Sequence, residues 1–244
     1  MNDITNNQAT YVKKFADHLR TMPEEEAVKL HVGGIEGYYV IATLERRLLE
    51  ILGFTGVESI VDIGCGSGRL AQALERYPQC AYTGIDVVPG LIDYCRRKFR
   101  QDWRFEVASS FTLPVPDLSV DIVTAFSLFT HLLHEEGFTY MRDACRALKS
   151  GGILVGSFLE YTNAWHQKIF QGAVTNLRSG RGLIVFHDRE ALTFFQKDSG
   201  FSSIRFIGGA EPTLDFPDPG EVLPDGKTLR GRKFFGQSVF VMRK

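Results

Sequence analysis

At 244 residues, 44% of them hydrophobic and 23% charged, the chain is long enough to bury roughly 70% of the surface it would expose unfolded. It needs neither a disulfide nor a metal to hold a core, and one enlarged domain over 1–244 is expected. The formal net charge of −1 comes without a basic arm or lysine block, which argues against a nucleic-acid partner, and no run of 18 apolar residues suggests a membrane span.

The chain opens MNDITNNQAT, without the basic stretch and apolar run of a signal peptide. Residues 1–30 are polar, with apolar positions at Tyr11, Phe15, Leu19, Met22, Val28 and Leu30. This suits one or two amphipathic helices lying over a ligand. HVGGIEG punctuates the chain at 31–37, and Ile41, Leu44, Leu48 and Leu52 then mark a helix stopped by Gly53. A buried strand is expected at 59–63, a tight turn at 64–68, a helix in LAQALERYP, a second strand at 81–86 and a helix over 90–99. A third strand falls in WRFEVAS and a fourth at 120–126; FTYMRDACRALKSGG is a helix with a glycine stop, and ILVGSFLE is a fifth strand. This alternation, with continuously apolar strands, predicts parallel crossover units covered on both faces. Later, 161–178 and 188–197 look helical and IRFIGG looks like a strand. Residues 210–231, rich in Pro, Gly, Asp and Glu, look irregular, and KFFGQSVFVMRK closes the chain as a strand. The last two strands are expected to form an antiparallel edge pair. Cys65, Cys80, Cys95 and Cys145 form no Cys-x-x-Cys pair and read as isolated thiols of a reducing compartment, so a cytoplasmic location is expected.

The central motif is Val61-Asp62-Ile63-Gly64-Cys65-Gly66-Ser67-Gly68, between a strand and a helix. Glycines there permit tight angles and close approach of a ligand to the backbone, and the helix that follows offers free N–H groups. Asp86 ends the next strand, where a carboxylate can accept hydrogen bonds from both ribose hydroxyls; a surface cap is the alternative. Strand, glycine turn, helix, strand and acid in that order point to an adenosine site.

Gly68 comes one residue early for the G-x-G-x-x-G nicotinamide fingerprint. DIGCGSG instead resembles the acid-x-Gly-x-Gly-x-Gly signature of the class I S-adenosylmethionine-dependent methyltransferases, and LKSGG resembles the family's turn before the fifth strand. The resemblance covers about residues 40–160. It implies an α/β fold with a Rossmann-like parallel sheet flanked by helices, a C-terminal antiparallel edge strand, and S-adenosyl-L-methionine as cofactor. By that resemblance Asp62 reaches the methionyl ammonium, and Gly64, Cys65 and Gly66 lie beside the methionyl and ribose parts. Asp86 takes the ribose hydroxyls and Val87 packs near adenine. Ser109 stands where the family often has an acid for the adenine amine, so a weaker contact falls to Ser109 or Ser110. Phe126, at the end of the fourth strand, either closes over the cofactor or fills core.

A sulfonium methyl is already activated, so the protein has to align donor and acceptor and exclude water. A base is required only for an acceptor that holds its proton tightly. His131, just after the fourth strand, is the candidate; a histidine serving only its own turn is the alternative. Tyr161, Trp165 and His166 either line an acceptor pocket or pack ordinarily, and Asp188 after His187 suits a helix cap. No metal motif is present. The segments 1–37, 161–185 and 210–234 are expected as a helical lid and two substrate-side insertions. The expected activity is methyl transfer to a small-molecule hydroxyl or amine, in a monomer or homodimer. Its competitors are a protein methyltransferase and a non-catalytic S-adenosylmethionine-binding scaffold.

Overall fold

The computed structural model describes residues 6–175 and 183–244. Eight helices and nine strands follow in the order α1 (Asn6–Thr21), α2 (Glu24–His31), α3 (Tyr38–Ile51), β1 (Ser59–Ile63), α4 (Arg69–Leu74), β2 (Ala81–Asp86), α5 (Pro89–Lys98), β3 (Arg104–Val107) and β4 (Val120–Ala125), then α6 (His134–Ala147), β5 (Leu148–Phe158), α7 (Ala164–Thr175), α8 (Arg189–Asp198), β6 (Ser203–Ile207), β7 (Leu214–Val222), β8 (Thr228–Lys233) and β9 (Ser238–Arg243), among the described residues. The seven-stranded sheet has the order β3-β2-β1-β4-β5-β9-β6. Its first five strands are parallel, and β9 runs antiparallel to both neighbours.

Alternating residues of the central strands feed two cores. Ile60, Tyr82, Phe105 and Ile122 join Leu48, Leu49, Leu70 and Leu91 from α3, α4 and α5 in one cluster. Val61, Ile63, Ile85 and Val123 join Tyr140, Met141 and Leu192 from α6 and α8 in the other. Both faces are apolar because each is covered by helices, as a parallel sheet requires. Strand order reverses between β1 and β4, so the crevice beyond the carboxyl ends of β1, β2 and β4 is the place for a ligand.

The expected antiparallel pair near the C-terminus is present. Its outermost member is β6, and β9 is inserted between β6 and β5. Two expectations need revision. Strand β5 begins at Leu148, inside the stretch read as the end of a helix. Residues 210–231 are not irregular: β7 and β8 form an antiparallel hairpin. The hairpin closes at Asp225-Gly226, where the Leu223 N–H donates to the Lys227 carbonyl at 2.7 Å and Gly226 has φ +82°. Leu214, Phe216, Leu223 and Leu229 are buried in the core. Glu221 accepts from Arg46 of α3 and, at 2.8 Å, from Arg76, so the hairpin docks on α3 and the segment after α4. No described helix is long and apolar enough to cross a membrane.

Candidate functional site

The glycine turn leaves β1 with φ +71° at Gly64 and +56° at Gly66, angles that disfavour a side chain. A Cβ on Gly66 would lie 2.5 Å from Val32 Cγ1, and one on Gly64 would lie 2.9 Å from Leu128 Cδ1. The turn is tied to the next strand twice over. Gly64 N–H and Cys65 N–H both donate to the Ile85 carbonyl, at 2.8 and 3.0 Å. Gly66 N–H donates to Asp86 Oδ2, and Val88 N–H to Asp86 Oδ1, each at 2.9 Å. Burial pushes the Asp86 carboxyl up, and its backbone N–H donors oppose that shift. Two donors leave about two of the four lone-pair sites of a carboxylate for a ligand.

Asp62 sits one strand in, 4% exposed. Strand register sets Thr124 beside it and Tyr82 two residues diagonal on the same face. Tyr82 and Thr124 donate their hydroxyls to Asp62 at 2.6 and 2.8 Å. Burial pushes its carboxyl up to about 7, although both hydroxyls favour the ionised form.

These residues open on a cavity of about 530 Å³, within the range of small-molecule and cofactor sites. Of the residues expected at the site, Asp62, Gly64, Cys65, Gly66, Asp86, Val87, Phe126 and His131 all line it. Ser109 and Ser110 do not: Ala108 lines the wall there, Ser109 is exposed, and Ser110 Oγ accepts from the Thr112 N–H in its own loop. Phe126 meets both readings, since it is buried against Phe235 and also faces the cavity.

His131 stands in the turn after β4. A carbonyl only accepts, so the 2.8 Å contact between His131 Nδ1 and the Leu183 carbonyl fixes the proton on Nδ1 and the lone pair on Nε2. Burial lowers its pKa, the Leu183 carbonyl opposes this, and Lys14 lowers it further. The Tyr11 ring meets it edge-on with centroids 5.4 Å apart.

The lid expected over 1–37 supplies Tyr11, Lys14, Leu30, His31, Val32 and Gly33 to the cavity wall. Arg69 holds the lid's end: its guanidinium pairs with Glu45 of α3 and donates to the Val32 carbonyl at 2.6 Å. Burial pushes His31 down to about 4, which leaves it neutral at pH 7. Among the described residues of 161–185 only Ile184 lines the cavity, and no lining residue falls in 210–234. Residues 176–182 lie outside the described set.

Other singled-out residues are elsewhere. Tyr161 and Trp165 are exposed. His166 is fully buried, accepting from the Glu160 N–H and contacting the Gly236 carbonyl. Asp188 caps α8 by accepting from Ala191 N–H at 2.7 Å. His187 stacks on His134 with centroids 4.5 Å apart and does not line the cavity.

Gln237, Glu136 and Tyr140 line the cavity without having been expected there. Gln237 bridges β5 and the turn after β4: its Oε1 accepts from Ser157 Oγ at 2.7 Å and its Nε2 donates to Ser127 Oγ at 3.2 Å. Only the insertion of β9 beside β5 brings it there.

A family model described as a methyltransferase domain matches residues 61–156. The chain is 32% identical over 114 residues to the demethylmenaquinone methyltransferase of Tropheryma whipplei, 45% of each chain. It is 31% identical over 122 residues to the 27-O-demethylrifamycin SV methyltransferase of Amycolatopsis mediterranei, 48% of this chain and 44% of that one. The chain thus spans somewhat under half the length of these curated relatives. The solved magnesium protoporphyrin IX methyltransferase of Synechocystis with bound SAH superposes with a TM-score of 0.61 at 14% identity over 97% of each chain, a likeness of fold. Residues 61–156, which carry the acid–glycine turn and Asp86, are thus similar to a methyltransferase domain.

Proposed function

We propose that the protein transfers the methyl group of S-adenosylmethionine to a hydroxyl or amine of a small molecule. The observation that carries this reading is one continuous cavity joining the glycine turn and Asp86 to His131 and the lid residues Tyr11, Lys14 and His31. Donor and acceptor would share that space.

The residues suit the cofactor part by part. Asp86 keeps lone pairs for the two ribose hydroxyls. Asp62 offers a buried carboxylate to the methionyl ammonium. Val87 and Leu128 give an apolar wall for the adenine ring. When bound, the cofactor supplies a sulfonium-activated methyl group.

The rest of the task falls to the chain. The lid and Phe126 exclude water. His131, neutral and with its lone pair on Nε2, accepts the proton that a hydroxyl or ammonium acceptor gives up. The chain's similarity to a demethylmenaquinone methyltransferase and a demethylrifamycin methyltransferase supports a small-molecule acceptor, and the near-neutral charge agrees.

The test is incubation of the purified protein with methyl-labelled S-adenosylmethionine and fractionated metabolite extracts, beside calorimetry with the cofactor and its demethylated product. Label is expected in a small-molecule fraction. Tight cofactor binding with no label in any fraction would count against transfer, and label in protein alone would redirect the reading to a protein acceptor.

A further inference from the structure

Ser127, just past β4, has φ +58°, a left-handed backbone angle that a serine keeps only when its surroundings hold it there. Its N–H donates to Ser157 Oγ and its carbonyl accepts from Thr130 Oγ1, each at 2.7 Å. Ser157 Oγ donates its one proton to Gln237 Oε1 at 2.7 Å, and Gln237 Nε2 donates to Ser127 Oγ at 3.2 Å. The shorter contact has the length of an O–H···O bond and the longer that of an N–H···O bond, which fixes the two ends of the amide. The ring of three bonds thus has a direction. It consumes the Ser157 proton and one Gln237 N–H. It leaves over the Ser127 hydroxyl proton and the second Gln237 N–H, and neither has a partner among the described residues. Both residues are half-buried and line the cavity.

Sheet topology says which ligand these donors meet. The cavity follows the carboxyl ends of the strands in the order β2, β1, β4, β5, β9. Asp86 ends β2, Asp62 and Gly64 lie at the end of β1, and Ser127 follows β4. Because β9 is antiparallel, its first residue Ser238 pairs with Phe158 at the end of β5. Gln237 therefore comes in at the same edge of the sheet. Neighbouring strands lie about 4.8 Å apart, which sets β9 roughly 14 Å from β1. A cofactor between Asp86 and Asp62 fills the β2–β1 end, so Ser127 and Gln237 face what lies beyond its sulfur. His131 belongs to that end as well: its N–H donates to the Leu128 carbonyl at 2.8 Å, in the turn that Ser127 opens.

Resting on the methyl-transfer reading above, we propose that the Ser127 hydroxyl and the second Gln237 N–H bind a carbonyl oxygen of the methyl acceptor, and so select acceptors with a carbonyl beside the hydroxyl or amine to be methylated. Both donors are neutral. A carbonyl only accepts, and it matches them without bringing a charge out of water. An acceptor that presents an amine or a methylene there leaves two half-buried donors unpaired, which is how a polar site rejects a near-isostere. Gln237 serves the backbone and the ligand together: its oxygen and one N–H hold the turn at Ser127, and its other N–H reads the acceptor.

The experiment uses the full chain, labelled with nitrogen-15 and saturated with S-adenosylhomocysteine, with acetophenone and aniline as probes. The Gln237 side-chain amide signals are assigned by their loss in Gln237→Glu, which keeps an oxygen for Ser157 and has no N–H. Acetophenone is expected to move those signals. Aniline, with an amine in place of the carbonyl, is expected to leave them. Gln237→Glu should bind acetophenone about tenfold more weakly and keep its affinity for S-adenosylhomocysteine. Ser127→Gly, which removes the hydroxyl and suits a positive φ, should lose a similar factor, so the test stands if one variant fails to fold. Signals unmoved by acetophenone, equal shifts with both probes, or unchanged acetophenone affinity in a folded variant overturn the proposal. Transfer from methyl-labelled S-adenosylmethionine separates the two readings. Label in a small molecule that has no carbonyl overturns the proposal and leaves methyl transfer standing, whereas label in no fraction overturns both.

Discussion

Gly66 and Asp86 are joined directly: the N–H of the second glycine in the turn donates to Asp86 Oδ2 at 2.9 Å. The acid expected to hold the sugar therefore also shapes the turn on which the cofactor rests. Asp86→Ala should weaken S-adenosylhomocysteine binding at least tenfold, since hydrogen bonds to a charged group contribute about 1.5–3 kcal/mol each. Asp86→Asn keeps an acceptor for one N–H and should fall between. Calorimetry beside a thermal melt checks this: unchanged affinity in a folded Asp86→Ala protein would remove the residue from the site.

Asp62 makes cofactor binding depend on pH. Its carboxyl, raised to about 7 by burial, is largely protonated at pH 6, and an arriving ammonium favours the ionised form. Binding should release a proton near neutrality, and affinity for S-adenosylhomocysteine should climb from pH 6 to pH 8. Methylthioadenosine, which has no ammonium, should show neither effect. Titrations in buffers of different ionisation enthalpy read the proton directly. Stability runs the other way. The folded protein keeps this proton up to about 7, whereas an unfolded aspartate loses it near about 3.9. Asp62's contribution therefore falls as pH rises through that window, by up to roughly 1.4 kcal/mol per pH unit. Asp62→Asn should gain on wild type across the same interval; parallel stability curves would show that the carboxyl titrates normally.

Much of this was legible in the sequence because the chemistry was local. Asp62, Gly64, Gly66 and Asp86 lie at the ends of successive strands, where order along the chain dictates place in the crevice. The strands showed as apolar runs since Ile60 and Val61, or Ile122 and Val123, face opposite and equally buried cores. The hairpin at 214–233 was hidden by composition. Its prolines and charges outweighed the buried alternation of Leu214 and Phe216, although Asp225-Gly226 is a known hairpin signal. Tyr82 and Thr124 follow from register once β1 is paired with β2 and β4. Glu136 and Gln237 had no such cue. Each reaches the cavity only through the packing of α6 or the insertion of β9.

His131 should separate binding from transfer. His131 lines the cavity and its Nδ1 meets the Leu183 carbonyl. His131→Ala is expected to leave S-adenosylhomocysteine affinity within about threefold while slowing transfer by roughly 10²–10⁴, the usual scale for a general base. In wild type the rate should fall on the acid side, through a value below the ordinary histidine pKa, because burial lowers it. The acid limb should vanish in the variant. A variant with full turnover would assign proton removal to water or another group.

The Arg69–Glu45 pair anchors the end of segment 1–37, the proposed lid. Arg69 is 8% exposed and Glu45 1%, and the guanidinium also donates to the Val32 carbonyl where the lid meets the glycine turn. Removing one member strands the other charge in the core, which typically costs 3–5 kcal/mol. Arg69→Met should therefore destabilise by about that amount, the more so because burial already pushes the Glu45 carboxyl up and only Arg69 pulls it back. Joint replacement, Glu45→Leu with Arg69→Met, leaves no buried charge and should recover most of the stability. It should not recover the bond to Val32. The double variant is thus expected to melt near the wild-type temperature yet expose segment 1–37 to limited proteolysis faster, with weaker cofactor binding. If its lid resists protease as wild type does, apolar packing of Phe15, Ala27 and Val28 in the core suffices to hold the lid, and the arginine anchors α4 to α3 alone.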